Sequence, residues 1–224
     1  IYKNILEGPG VEIIRGRGTV AGPGKVEVNG EILEAKRILI ATGGWPFKPD
    51  IPGGELALDS NDVFAMEALP KRIVVVGGGY IAVEFAGIFN GLGCDTQLLH
   101  RGDQILRGFD NEVRRFVTQE VTKAGVKIRT QTDVERIEKD GDEKICHLSD
   151  GSTLRCDMVM MATGRQAKTA GLGLEEAGVE LRKNGSIIAN ERFETSVPGI
   201  YALGDVIDTP ALTPVALEQG MVCL

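Results

Sequence analysis

The stretch RIVVVGGGYIAVEFAGIF, residues 72–89, decides how this chain is read. Arg72 to Val76 is a short run rich in β-branched residues, the pattern of a strand buried on both faces of a parallel sheet. Three glycines follow without a gap. A helical periodicity then begins, with Ile81, Phe85, Ile88 and Leu92 on one face at three- and four-residue steps. Strand, tight glycine turn and helix together form a dinucleotide-binding fingerprint, here GxGxxA with Gly77, Gly79 and Ala82. In that geometry Gly77 permits the turn, and Gly79 lets backbone N–H groups approach a pyrophosphate at the helix N-terminus. Ala82 keeps helix and strand close.

Moving outward, Thr96 to His100 reads as the second strand of the unit, ending in LLHRGDQILRGFD. An acidic residue closing that strand binds the 2′-OH of NAD and repels a 2′-phosphate. Here the position holds His100, with Arg101 next and Arg107 six residues further on. Two guanidiniums suit a phosphate dianion through charge-assisted hydrogen bonds, so NADPH is expected rather than NADH. In the alternative, both arginines are solvated surface charge paired with Asp103 and Asp110.

The pattern continues with an amphipathic helix from Asn111 to Ala124, apolar at Val113, Phe116, Val117 and Val121, with Gly125 as its C′ residue. Val126 to Arg129 is a third strand. The runs 134–139, 144–148 and 153–154 read as antiparallel ribbons with turns at Asp140-Gly141 and Asp150-Gly151. Met158 to Met161 is one more buried strand. On the other side of the fingerprint, VEIIRGRGTV, KVEVNG and EILEAKRILIATGG suggest β structure with glycine turns. A passage with Pro46, Pro49, Pro52 and Pro70 reads as a linker rather than a core element.

Two buried strands thus end in Ala-Thr-Gly, at residues 41–43 and 162–164, one on each side of the fingerprint. The pair suggests two related nucleotide-binding folds in one polypeptide. Near the end, Gly199 to Asp205 is a strand closing in Gly-Asp, where a carboxylate can accept hydrogen bonds from a sugar or polyol hydroxyl; Asp205 as a turn or cap residue is the plainer alternative. Thr213 is expected to cap a further helix, with Pro214 at its first position.

Composition narrows the classes. The chain has 224 residues, 42% apolar and 25% charged, with a net charge of −7. No basic stripe offsets that charge, which argues against nucleic acid as a partner. No apolar run approaches the roughly 20 residues that span a bilayer, and no signal peptide is read. Cys94, Cys146, Cys156 and Cys223 are scattered, in no CxxC spacing, and are read as structural thiols of a reducing cytoplasm. With His100 and His147 alone, a zinc site or histidine triad has little material. The chain begins at Ile1 and stops at Leu224 inside an apolar stretch, as expected of a piece of something longer.

The order ATGG, proline passage, GGGYIAVEFAGIF, LRGFD, ATGR, GIYALGD and LTPVAL resembles the FAD-dependent pyridine nucleotide–disulfide oxidoreductases over essentially all 224 residues. Within that family it is closer to the NADPH-dependent members that reduce glutathione disulfide than to lipoamide dehydrogenases, which carry an acid after the second strand. The resemblance implies an α/β fold of two Rossmann-like FAD/NAD(P)-binding domains, the NADPH domain inserted into a partial FAD domain. The corresponding boundaries are 1–44 and 166–224 for FAD and 45–165 for NADPH.

Residue by residue, it implies that Gly77, Gly78, Gly79 and Ile81 line the NADPH pyrophosphate and that Arg101 and Arg107 hold the 2′-phosphate. Tyr80 would cover the nicotinamide pocket and Glu84 would lie near the carboxamide. Gly164 and Arg165 would sit where the two cofactors approach, and Gly43, Asp205 and Thr213 would belong to the flavin side. By the plainer reading, Tyr80 and Glu84 are a polar-tipped helix face and Ile81 is core. The redox cysteine pair, the first FAD fingerprint and the interface domain have no counterpart among these residues, so the 224 residues alone are expected to lack disulfide reductase activity. The whole enzyme would be a cytoplasmic homodimer acting on glutathione disulfide. An isolated, non-enzymatic NADPH-binding module and a reductase of another disulfide are the alternatives.

Overall fold

The computed structural model describes residues 2–223, and the two terminal residues Ile1 and Leu224 lie outside them. The chain forms two compact units: residues up to Trp45 together with those from Gln166 onward, and Pro46–Arg165.

In the first unit, α1 (Tyr2–Glu7) is followed by an antiparallel meander of β1 (Gly18–Gly22), β2 (Lys25–Val28) and β3 (Glu31–Glu34). Within VEIIRGRGTV only the end, from Gly18, joins a strand. Val11, Ile13 and Ile14 are exposed, and a β-branched run without a ladder partner has nothing to fix it as a strand. β4 (Ile38–Ile40), with Ile38 and Ile40 buried and Leu39 exposed, leads into the first Ala-Thr-Gly, and the three-residue β5 (Gly44–Pro46) leads out of the unit.

The second unit carries the fingerprint. Before it come a short 3₁₀ turn and α2 (Ser60–Phe64), capped by Asp59 and Asp62 in a reciprocal box. The proline passage is therefore more than a linker. Ala57 is buried, and Leu58 bridges to Met160, its N–H donating to the Val159 carbonyl and its carbonyl accepting from the Met161 N–H. The prolines only punctuate a segment whose intervening residues pair with the sheet edge.

Next come β6 (Arg72–Val76), α3 (Tyr80–Gly91), β7 (Asp95–His100), α4 (Asn111–Lys123), β8 (Lys127–Thr130), an antiparallel trio β9 (Val134–Asp140), β10 (Glu143–Leu148) and β11 (Thr153–Cys156), and β12 (Met158–Met161). The order β12-β6-β7-β8 makes a parallel sheet in which Ile73 to Val76 are buried on both faces. The ribbons pair as β11-β10-β9.

On α3 the apolar stripe is only partly inward, with Ile81 and Phe85 packed against the core. Ala82, Ala86 and Phe89 are its buried residues, while Ile88 and Leu92 are 52% and 58% exposed. The small alanines win the inner face because a helix following a tight glycine turn lies close against the strand, leaving no room for branched side chains. On α4, likewise, Val117 and Val121 pack inward while Phe116 points to solvent, 62% exposed. Asp110 caps that helix, accepting from the Glu112 and Val113 N–H groups, and Gly125 follows its end with φ +118° as expected of a C′ residue.

At the foot of the unit, Arg72 Nη2 lies 2.7 Å from Glu143 and 2.6 Å from Asp157, joining the first residue of β6 to β10 and to the residue before β12. Cys146 and Cys156, scattered in sequence, meet on neighbouring strands: Cys146 stands opposite Leu154, so Cys156 falls on the same face. Both thiols are buried, Cys156 Sγ donates to the Lys144 carbonyl at 3.9 Å, and the neighbouring Cys156 together with burial pushes the Cys146 thiol up.

β13 (Arg165–Ala167) returns the chain to the first unit, where β14 (Ile200–Ala202) pairs parallel with β4 and α5 (Thr213–Val222) follows. Ile38, Ile40, Ile187, Ile200, Ala202 and Val206 are among its core.

A candidate dinucleotide site in the glycine turn

The turn sits at the carboxyl end of β6, where the sheet order reverses. α3 leads to β7 on one side while β12 pairs on the other, and that crevice is where open α/β sheets take ligands. Gly77 has φ +143°, and a Cβ there would collide with the Ala162 carbonyl and crowd Ala82. Only glycine fits. Its N–H donates to the Leu99 carbonyl at 2.9 Å, fastening the turn to β7.

Gly79 is the opposite case. It has an ordinary φ of −80°, it is the N-cap of α3, and nothing lies within 4 Å of the place a Cβ would occupy. No side chain caps the helix. The first-turn N–H groups, which no helix satisfies internally, thus face an open cradle with a partial positive charge. A pyrophosphate fits that cradle. Tyr80 opens the helix at 43% exposure, Glu84 is exposed one turn on, and Ile81 packs partly into the core.

Gly78 brings the second part of the site in. A Cβ there would strike the His100 imidazole, so ring and glycine are in close packing. Its carbonyl accepts from the Leu106 N–H. Arg101 and Arg107 are therefore each one residue away from a contact with the same glycine. Both are exposed, and among the described residues neither makes an ion pair or hydrogen bond. Asp110 is committed to its helix cap. Burial, and after it the Arg101 charge, lower the His100 pKa, so the imidazole is neutral at pH 7 and adds no charge of its own.

Gly164 closes the second Ala-Thr-Gly with φ +130°, its carbonyl accepting from the Phe47 N–H, and Arg165 opens β13. In the first unit, Gly43 has φ +73° and accepts from the Lys168 N–H. Asp205 lies half-buried in a 3₁₀ turn, Gly204–Val206, after β14. Thr213 is not the cap of α5 but its first residue. Leu212, whose side chain carries no acceptor, stands at the cap, and Pro214 falls at the second position rather than the first. This helix start is also uncapped. Thr209, between Asp205 and Thr213 in sequence, has a buried hydroxyl with no partner.

Residues that sequence patterns did not single out complete the picture. Gln219 on α5 is buried, and its Oε1 accepts from the Gly204 N–H at 2.7 Å, fixing the turn that presents Asp205. Leu106 has φ +59° and is buried. Arg114 reaches from α4 to the backbone of the Arg101–Arg107 loop.

The fingerprint, the parallel sheet and the flanking Ala-Thr-Gly strands point to one family, and the description of pyridine nucleotide-disulphide oxidoreductases matches residues 1–220. The chain belongs to this family. It is 47% identical over 220 residues to glutathione reductase of Burkholderia cepacia, covering 98% of this chain and 49% of that protein. To the chloroplastic/mitochondrial glutathione reductase of Pisum sativum it is 44% identical over 222 residues, covering 99% and 40%. Trypanothione reductase of Leishmania donovani matches at 46% over 195 residues, covering 85% and 39%. Among solved structures, the Cu(II) complex of the HOCl-induced flavoprotein disulfide reductase RclA from Escherichia coli superposes with a TM-score of 0.93 at 28% identity, over 99% of this chain and 51% of that one. The chain spans about half the length of these relatives, or less. Its fold is the expected α/β class, with nucleotide-binding Rossmann-like architecture. No helix among the described residues is long and apolar enough to cross a membrane, and no cluster of metal-ligating side chains occurs among them.

Proposed function

We propose that this member of the pyridine nucleotide–disulphide oxidoreductases is the nicotinamide-handling part of an NADPH- and FAD-dependent disulfide reductase of the glutathione reductase type. The observation that carries the reading is the pair of unpartnered guanidiniums, Arg101 and Arg107, fastened on both sides to the glycine turn through His100 and Leu106. The open cradle at Gly79 takes the pyrophosphate, and the two arginines take the 2′-phosphate. Tyr80 and Glu84, on the first two turns of α3, lie toward the nicotinamide end. Residues 45–165 form the NADPH domain, and 1–44 with 166–224 belong to the FAD domain.

For the flavin, the fit rests on the uncapped start of α5, the Thr209 hydroxyl that lacks a partner, and Asp205 on the turn that the Gln219–Gly204 bond fixes. Gly43 and Thr213 belong to the same reading. Bound FAD would supply the two-electron chemistry between nicotinamide and disulfide. The residues here contribute binding and orientation: backbone N–H groups neutralise phosphate charge, the arginines select the phosphorylated ribose, and the Tyr80 ring shields the nicotinamide pocket from water. None is a nucleophile for the disulfide step.

Glutathione disulfide is the proposed substrate, supported by glutathione reductases at 40–47% identity over 98–99% of the chain. Trypanothione reductase at 46% supports a second reading with a different disulfide. A homodimeric, cytoplasmic whole enzyme is part of the proposal. The test is a chimera in which these residues replace the corresponding part of the Burkholderia cepacia enzyme. We expect it to bleach its flavin band near about 450 nm on anaerobic addition of NADPH and far more slowly with NADH. A flavin-loaded chimera reduced equally fast by both would contradict the reading.

A further inference from the structure

The loop that carries Arg101 and Arg107 runs from residue 101 to 110 without helix or strand. Such a segment ordinarily loses conformational freedom when its side chains close on a ligand, and that loss weakens binding. Here the loop is already shaped. Ile105 and Leu106 are buried, and Leu106 sits in the left-handed region at φ +59°, which a leucine keeps only when its surroundings enforce it. Arg114 supplies the enforcement from α4. Its Nε–H donates to the Ile105 carbonyl and its Nη2 to the Gln104 carbonyl, both at 2.8 Å, while Nη1 reaches Asn111 Oδ1 at 3.1 Å. All three nitrogens are occupied, so this arginine has no fork left for a ligand. The two carbonyls it grips immediately precede Leu106, whose N–H seats the loop on Gly78 and whose neighbour is Arg107.

We propose that Arg114 is a positioning residue for nucleotide selectivity, pre-shaping the loop so that Arg101 and Arg107 meet a 2′-phosphate without a folding cost. The inference rests on the assignment of those two arginines to the 2′-phosphate. Because NADH lacks that phosphate, its binding draws on the glycine turn and the start of α3 and not on the two loop arginines. A purely structural role would instead weaken both nucleotides together.

The experiment is thermal melting of the 224-residue chain against increasing NADPH and, separately, NADH, from which both the intrinsic stability and each affinity are read. Arg114→Met, which keeps the stem and removes the fork, is expected to lower NADPH affinity about tenfold, with NADH changed less than about twofold. Arg114→Lys reaches one carbonyl at most and is expected to fall between Met and wild type, and it serves if the Met variant does not fold. Equal losses for both nucleotides, or no loss, in whichever variant melts cooperatively would overturn the proposal while leaving the wild-type preference, and the proposed function, intact. A wild-type chain that does not prefer NADPH would overturn both.

Discussion

At the scale of single residues, the glycine turn separates two jobs that one motif conflates. Gly77 is required by sterics: its positive φ and the Ala162 carbonyl leave no place for a methyl group. Gly77→Ala is therefore expected to destabilise the fold by roughly 2–4 kcal/mol, seen as a lower midpoint in urea with or without nucleotide. Gly79 has ordinary backbone angles and free space around it. Gly79→Ala should leave the midpoint nearly unchanged and weaken NADPH binding by about tenfold or more, because the methyl stands where the phosphate would accept its N–H bonds. Unchanged affinity in Gly79→Ala would remove the pyrophosphate from this cradle. The spacing of the motif was readable from the chain. The His100 ring on Gly78 and the left-handed Leu106 were not, since neither has a local pattern: one depends on the strand end meeting the turn, the other on a clamp from a helix that begins beyond it.

Among the elements, β6 is held at its first residue by charge and along its length by apolar burial. Arg72 holds the Glu143 and Asp157 carboxyls below their ordinary pKa values, in each case chiefly through its hydrogen bonds. A carboxylate whose pKa is depressed on folding contributes stability above its unfolded value, and that contribution fades as pH falls toward the folded one. Stability should thus drop on acidification below about pH 4.5, the ordinary glutamate value. Arg72→Met should flatten that part of the profile of melting temperature against pH, and a profile of unchanged steepness would assign the acid loss to other groups. The same scale decides which face of α3 turns inward. Periodicity marks which residues share a face, but Ala82, Ala86 and Phe89 form a second stripe one residue along, and the choice between stripes is made by how close the glycine turn brings helix to sheet. The proline passage was misread for a related reason: prolines mark breaks, while the pairing of Leu58 with Met160 lies in the residues between them.

For the molecule as a whole, the fold class was legible because the βαβ signal and the Ala-Thr-Gly pair are local in sequence. What was not legible is long-range: the Arg114 clamp, the Gln219 bond to Gly204, and the meeting of Cys146 with Cys156. The account stands or falls on the reading of Arg101 and Arg107, and calorimetric titration of NADPH and of NADH into the wild-type chain and the Arg101→Ala/Arg107→Ala variant tests it most directly. Two charge-assisted phosphate contacts predict that wild type binds NADPH about a hundredfold more tightly than NADH, and that the double variant brings the two within a few-fold by losing NADPH affinity alone. Equal affinities in wild type, or a preference that survives the double substitution, would contradict it.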